Sequence, residues 1–494
     1  MTIALIGGGV GGLMTALYLT QAGHEVTIYE KSKKLGGRLA FVQNGDYCID
    51  EGPTIVLLPD MFLDLLKKAG VDTSGLRLLR CDPLYSMQFE DGEVYTKYAD
   101  AIKQQQEIER LFPQDVDGFN QFLTEGKQRF DIGMSAFLTK SFSVKKDFWT
   151  FTSVRKLLAL KPYQTVSGLM KGYFKDTRLQ QAYALQSLYI GGNPYQVPAM
   201  YSLVSFSEHE HGVYYVQGGY ASLIPLLEKT LRSRGVTIYF ESEVESILSA
   251  EGRATGVRTQ AGETLHEAVI FNGEMPFLKD LLPAVSKRTY IPSSSCYLMY
   301  LGVEGKYDQR PMHSYLMGPD FKGHMDAVFR SKQVPSEPSI YIFNPSVIDE
   351  SLAPKGKSVL YILVPVPSGT DIQWDDVIDW RERLLDRLEA NGYPDLRERT
   401  EWMEIRTPET AKSEGYFQGG NFGIAPMLGQ SGVFRPQAKP TKFNNLYAVG
   451  ASTHPGGGIP IVMQGAYLTA EAVLNDLSVK GGQLNERQAS LPRV

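Results

Sequence analysis

An α/β fold is predicted for this chain: a Rossmann-like dinucleotide-binding domain with an inserted mixed-sheet domain and a helical subdomain. Three observations carry the prediction. The first forty residues run strand, glycine triplet, helix, strand and acid in register. A second strand, glycine-rich turn and helix occur near the C-terminus, at 445–474. Between them short apolar runs alternate with helical patterns, and one aromatic-rich stretch reads as a succession of helices.

Each opening element has a physical reason. Residues 3–6 are a continuous apolar run, as in a strand buried on both faces. Gly7, Gly9 and Gly12 fill the glycine positions of G-x-G-x-x-G. The first permits a tight turn, the second lets a pyrophosphate approach the backbone, and the third lets helix and strand pack closely. Leu13, Ala16, Leu17 and Thr20 recur at helical spacing, and Gly23 ends the helix. Unpaired N–H groups at the helix start, around Gly11, suit phosphate, helped by the helix dipole. The strand 26–29 closes on Glu30, where a carboxylate can accept hydrogen bonds from an adenosine ribose, with Lys31 beside it. Together these residues predict a dinucleotide site.

Length and composition set the bounds. At 494 residues the chain exceeds one ordinary core, so two or more domains are expected. Hydrophobic content of 43% and charged content of 21% suit a globular protein in water. A net charge of −5 argues against general nucleic-acid affinity. Cys48, Cys81 and Cys296 are widely spaced, which suits reduced thiols in a cytoplasmic chain; no metal site is expected. No secretory signal and no apolar run of membrane-spanning length are read, and the polar tail at about 480–494 reads as frayed.

Gly36-Gly37-Arg38 follows the Glu30 strand directly; Gly37 can let backbone pass near a cofactor and Arg38 can neutralise a pyrophosphate. Asp50-Glu51-Gly52-Pro53-Thr54 then breaks a strand-like segment before Pro59 starts a helix. With these two motifs the chain resembles the bacterial carotenoid desaturases, within the larger amine-oxidase-like flavoprotein group. The resemblance implies FAD as the dinucleotide and a glutathione-reductase/amine-oxidase-like fold.

The interval 83–211 has a different texture. Residues 84–89 and 93–97 straddle Asp91-Gly92 and read as a hairpin, and helices follow. Between 140 and 175 the basic residues Lys140, Lys145, Lys146, Arg155, Lys156, Lys161, Lys171 and Lys175 meet one acid, Asp147. Phe142, Phe148, Trp149, Phe151, Leu157, Leu158 and Leu160 are interleaved with them. That mixture suits a face on an anionic bilayer, with rings in the interface and cations at the headgroups; the alternative is a helical subdomain with aromatics in its core.

Residues 212–219 read as a strand into a Gly-Gly turn, 221–232 as a helix and 237–240 as a strand. In related flavoproteins the residue matching Val244 contacts adenine through its backbone. Residues 254–259 and 264–271 read as a hairpin, and 295–303, 339–343 and 358–364 as strands of a substrate-domain sheet. His313 and His324 have no partners at metal-ligand spacing, and His209 and His211 diverge on a helix.

The C-terminal unit is the most discriminating. Residues 445–449 form a strand ending on Gly450, and Ala451-Ser452-Thr453-His454-Pro455-Gly456-Gly457-Gly458-Ile459-Pro460 is a turn before a helix from 461 to 474. This turn closely resembles the signature of bacterial phytoene and dehydrosqualene desaturases, so similarity brackets the whole chain. Residues 54–60 and 188–191 look most like the C30, dehydrosqualene branch. The terminal-methyl oxidases of the family tend to carry serine-valine-asparagine-proline where this chain has Ser452-Thr453-His454-Pro455, which favours a desaturase.

The resemblance implies FAD-dependent desaturation of a C30 diapocarotenoid such as dehydrosqualene. Alternatives are the aldehyde-forming terminal-methyl oxidase, a C40 phytoene desaturase, and a non-enzymatic prenyl carrier like the GDP-dissociation inhibitors. Expected cofactor contacts are Gly7, Gly9, Gly11, Gly12, Glu30, Lys31, Gly37, Arg38, Val244, Gly450, Ala451, Ile461 and Val462. A helix N-terminus after Gly458 would stabilise negative charge on the reduced ring. No proton acceptor is assigned; His454 is the nearest candidate, with turn-structuring as its other reading. Expected partners are a long apolar polyene reached from an anionic membrane, on the inner face of which the protein is peripheral, and a quinone or oxygen as electron acceptor. The expected division is a discontinuous FAD domain (1–80, 212–286, 407–480), a substrate domain (81–110, 287–406) and a helical membrane-associating subdomain (111–211).

Overall fold

A computed structural model describes residues 1–143, 148–283 and 288–489, with 477–489 as backbone only. Lys145, Lys146, Asp147, the expected domain junction at 286–287 and the last five residues of the tail lie outside the described residues.

The opening strand, Thr2–Ile6, is the centre of a five-stranded, all-parallel sheet. Glu25–Tyr29 and then Thr237–Tyr239 lie on one side of it; Ala268–Phe271 and then Leu446–Ala448 lie on the other. A parallel sheet covered on both faces needs continuous apolar strands, and Ile3, Ala4 and Leu5 are fully buried. The helix Val10–Gln21 and the last helix, Ile459–Ala489, both pack on this sheet, through Leu13, Leu17, Met463 and Ala466. Its strands therefore come from three distant parts of the chain.

One expected hairpin divides. Arg253–Thr259 pairs antiparallel with Gly262–Leu265 as expected, but Ala268–Phe271 leaves it and joins the parallel sheet. His266 marks the break, and the strand beyond it is buried at every position whereas Gly262–Leu265 is exposed throughout. The backbone of the last helix continues to Ala489, past the point where polar composition suggests fraying.

The second sheet has seven strands in the order Thr400–Arg406, Ser295–Glu304, Lys357–Val366, Ile340–Phe343, His313–Leu316, Tyr85–Gln88 and Val94–Lys97. All neighbours are antiparallel except His313–Leu316 with Tyr85–Gln88. Strand alternation sorts its side chains sharply. Met299, Leu301, Ile340, Ile342, Leu360 and Ile362 face outward under the helix Ile378–Ala390. Tyr300, Tyr315, Tyr341, Phe343 and Tyr361 face inward toward the helices of 101–210. The inner face is aromatic and hydroxyl-bearing; the outer face is mainly aliphatic, with Tyr297 against Trp374 and Trp380 at one end.

The basic, aromatic stretch is split by the fold. Phe142, Phe148 and Leu160 are core residues, packed with Phe137 and Val433. Trp149, Phe151, Leu158 and Tyr163 are exposed, Phe151 at 85%, and the helix Phe151–Ala159 buries none of its residues.

Candidate active site

The glycine loop is shaped by close approach. Gly7 has φ +96°, and a Cβ there would meet the Asn272 carbonyl oxygen at 2.8 Å. A Cβ on Gly12 would lie 2.6 Å from the Gly7 oxygen and 2.7 Å from Leu5, so only glycine lets the first helix settle on the strand. Gly9 and Gly36 form an isolated bridge, holding the second glycine-rich turn against the first. Gly37 follows, its Cα side 3.4 Å from Gly9 as judged by an added Cβ.

Glu30 is buried and its carboxylate spans two turns: Oε2 accepts from the Gly8 N–H at 2.6 Å and Oε1 from the Ser32 N–H at 2.8 Å. Each oxygen keeps a further acceptor site, so the acid can both brace the loop and receive a hydroxyl. Lys31 is exposed and donates to the Glu414 carbonyl at 2.9 Å. Val244 is buried at the start of Val244–Ala250, beside a bulge.

Three polar residues that no motif announces hold the site together. Asn272 follows Ala268–Phe271 and donates to the carbonyls of Gly7 at 2.8 Å and Gly9 at 3.3 Å. Glu274 accepts from both Arg38 and Ser452, linking the N-terminal arginine to the C-terminal turn, and Arg38 also lies 4.5 Å over the Tyr416 ring. Arg435 is buried and donates to the carbonyls of Gln430 at 3.1 Å, Thr453 at 3.2 Å and Ala451 at 2.5 Å. It places a cation under the turn with carbonyls, not carboxylates, as partners. A glycine after a buried strand was the one sequence signal for Asn272; Arg435 had none.

The turn itself enters at Gly450 (φ +115°) and leaves at Gly458 (φ +93°), where Ile459–Ala489 begins; the Val462 N–H already bonds back to Gly458 at 2.8 Å. His454 is buried, and its Nε2 lies 2.9 Å from the Lys140 carbonyl and 3.1 Å from that of Phe137. Both partners are acceptors, so Nε2 carries the proton and the ring tethers the turn to the helical subdomain. Burial pulls its pKa down to about 4, keeping it neutral. Those contacts give it the turn-structuring role.

All these parts border one cavity of about 1180 Å³, above the ~300–1,000 Å³ usual for one small ligand. Every expected contact, from Gly7 to Val462, lines it except Gly12, which packs behind the loop. One arm lies between the glycine turns and the 450–458 turn. The other is walled by Leu57, Phe130, Leu160, Leu185, Leu188 and Met200 together with the tyrosine face of the mixed sheet. Cβ atoms added to Gly456 and Gly457 would meet nothing nearer than 3.9 Å and 4.0 Å, so that turn is an open cradle. The donor set suits a dinucleotide: helix N–H groups and Arg38 for phosphates, Glu30 for a ribose, and a second helix N-terminus for a ring that gains negative charge.

Fold and site thus define a dinucleotide-dependent oxidoreductase with a large apolar substrate cavity. The family model for flavin containing amine oxidoreductases matches residues 10–474. The chain is 50% identical to a 4,4'-diapolycopen-4-al dehydrogenase of Metabacillus indicus over 96% of this chain and 97% of that one. It is 32% identical to a 4,4'-diapophytoene desaturase of Staphylococcus haemolyticus, over 97% and 99%. In three dimensions it matches a putrescine oxidase variant with TM-score 0.66, at 12% identity over 97% and 100% of the two chains. The chain belongs to the flavin containing amine oxidoreductases and, within them, to the carotenoid desaturase family; it is an FAD-dependent oxidoreductase.

Proposed function

We propose that this enzyme oxidises the terminal carbon of a C30 diapocarotenoid from methyl to aldehyde, a four-electron change in which water supplies the aldehyde oxygen (R–CH3 + H2O → R–CHO + 4 H+ + 4 e−) and quinone or oxygen finally takes the electrons. One observation carries the reading: 50% identity along nearly the whole of a relative named for a diapolycopene aldehyde, against 32% for a desaturase of the same scaffold. The turn at 452–455 leans toward a desaturase, but four residues weigh less than identity across the chain. Chain desaturation of a C30 polyene is the second reading, favoured by that turn.

The flavin, when bound, supplies the hydride acceptor. Gly7, Gly9, Gly11, Glu30, Lys31, Gly37, Arg38 and Val244 would hold its adenosine and pyrophosphate, with Gly12 seating the helix behind the loop; Gly450, Ala451, Ile461 and Val462 would hold the ring end. Leu57, Leu185 and Leu188 align the polyene and keep bulk water off its chain, so that water meets only the terminal carbon, where it supplies the aldehyde oxygen. Arg435 and the start of Ile459–Ala489 offset negative charge at the ring end.

We assign the five-stranded sheet to a discontinuous FAD domain and the seven-stranded sheet to a substrate domain, a division supported by the strands of each sheet falling within the ranges expected from sequence. The exposed Trp149, Phe151, Leu158 and Tyr163, interleaved in sequence with Arg155 and Lys156, dock on an anionic bilayer from the cytoplasmic side, and Leu160, between Leu158 and Tyr163 in the chain, lines the cavity. Among the described residues no helix is long and apolar enough to cross a membrane. Quinone or oxygen takes the electrons onward.

The test supplies FAD-loaded enzyme with two C30 hydrocarbons, one fully conjugated and one with saturated bonds left to oxidise. A carbonyl product from the fully conjugated chain supports the proposal. Extra double bonds in the other chain, with the conjugated one untouched, support the desaturase instead.

A further inference from the structure

The cavity wall opposite the aliphatic residues holds a row of hydroxyls that a pure hydrocarbon does not need. Thr54, Tyr189, Tyr315 and Tyr341 all border the cavity, and the Tyr315 and Tyr341 rings lie 5.1 Å apart on neighbouring strands. Each end of the row is held from behind by buried polar groups.

At one end stands an ion pair wholly removed from water. Lys97 Nζ lies 2.7 Å from Glu208 Oε2, with both side chains at 0% exposure. The same oxygen accepts from Gln186 Nε2 at 3.1 Å, and Oε1 accepts from the Tyr189 hydroxyl at 3.1 Å. A carboxylate only accepts, so Tyr189 spends its proton on Glu208. The Tyr315 hydroxyl, 3.1 Å from that of Tyr189, is then the donor of that pair, and its own oxygen keeps a lone pair for the cavity.

At the other end the Tyr341 hydroxyl lies 2.8 Å from His313 Nδ1 and 2.9 Å from Thr54 Oγ1. Burial lowers the His313 pKa to about 3, so the ring is a neutral hydrogen-bonding group. With the proton on Nδ1, it runs His313 to Tyr341 to Thr54, and the Thr54 hydroxyl is left to donate into the cavity. With the proton on Nε2, which faces Cys81 Sγ at 3.8 Å, the row reverses and Thr54 offers lone pairs. The row can meet either a carbonyl or a hydroxyl.

A hydrocarbon against this wall would leave the available hydroxyl valences facing carbon, which is unfavourable. A buried ion pair is weak evidence for stability and is better understood as fixing a geometry. We propose that Thr54, Tyr315 and Tyr341 form an oxygen-recognition subsite for the hydroxyl or carbonyl at the end of a polyene, with Tyr189, Glu208, Lys97 and His313 as positioning residues. The inference rests on the terminal-oxidation reading and names the residues that would make it specific.

The test compares two probes on FAD-loaded protein in detergent micelles: a linear C30 polyene with a terminal aldehyde and the C30 polyene hydrocarbon of equal conjugation. The variants are Y315F, Y341F and T54V, each checked for flavin content. The subsite predicts aldehyde affinity weakened about tenfold by T54V, which removes the hydroxyl that donates to a carbonyl, and a few-fold by Y341F, which unties Thr54 from His313; Y315F, which removes only a lone pair, leaves it within about twofold, and hydrocarbon affinity is unchanged within about twofold throughout. It also predicts a red shift of the bound aldehyde's absorption that shrinks in T54V and Y341F and persists in Y315F. Equal losses for both probes would mean packing alone, and no loss for either would mean idle hydroxyls; both overturn the subsite. If wild-type enzyme makes the carbonyl product while these variants bind both probes normally, the subsite fails and the function stands. If wild-type enzyme only adds double bonds, the functional reading fails and the subsite falls with it.

Discussion

The two arms of the cavity are built on opposite plans. The glycine cradle is mostly backbone: N–H groups, turns and residues without Cβ, braced by Glu30 and Asn272. The polyene arm is mostly side chain: an aliphatic wall facing tyrosines that project from the seven-stranded sheet and from the turn Leu185–Ile190 into one space. Backbone recognition tolerates few substitutions and carries over between relatives that share little sequence. Side-chain recognition can change one residue at a time without disturbing the cofactor. The difference explains how one scaffold can serve chain desaturation and terminal oxidation.

The comparison breaks most completely at Gly12. G12V drives a branched side chain into Gly7 and Leu5, at distances of 2.6 and 2.7 Å for the first carbon alone. The purified variant should retain no flavin after reconstitution, read as flavin absorbance per chain; normal flavin content would show that the cradle does not depend on that contact.

Next comes the ion pair behind the tyrosines. K97M leaves Glu208 buried and unpaired and should lower stability to denaturant by about 3–5 kcal/mol, with the double variant K97M/E208Q recovering part of it. Flavin affinity of the folded fraction should stay unchanged if the two arms are independent.

His454 couples the arms, because it ties the cradle's turn to the helical subdomain. Its pKa falls from 6.5 unfolded to about 4 folded, chiefly by burial. Between those values the unfolded chain binds a proton that the native state refuses, so stability drops as pH falls from about 6.5 to about 4. This group contributes up to about 3 kcal/mol of that loss, and H454Q should remove that part of the slope in denaturation curves taken across the window.

The smallest effect concerns the outer surface. F151S removes one 85%-exposed ring and should weaken binding to anionic vesicles by a few-fold, read by sedimentation, with no change in flavin content.

The sequence displays the cradle because its chemistry sits in contiguous motifs: Gly7 to Gly12, Gly36 to Arg38 and Gly450 to Gly458 each report a local backbone need. The mixed sheet is harder to read. His313–Leu316 has four residues, and its neighbour in the sheet, Tyr85–Gln88, lies more than two hundred positions earlier. Register between such strands is set by packing, so nothing local announces that Tyr315 and Tyr341 share a wall. Arg435 and Glu274 are hidden for the same reason: each is an ordinary charged residue until the chain folds back across it. The stretch at 140–175 shows the limit of composition, since neighbouring aromatics divide into buried Phe142 and Phe148 and exposed Trp149 and Phe151.

Which carbon surrenders hydride can be measured directly. A fully conjugated C30 polyene is prepared with deuterium only in its terminal methyl groups, alongside an unlabelled control, and turnover by the FAD-loaded enzyme is compared. Terminal oxidation predicts turnover slowed several-fold by the label and two of the three deuterium atoms lost from the end carbon, the aldehyde product keeping one. Turnover indifferent to the label, or deuterium fully retained in a product altered only along its chain, would contradict it.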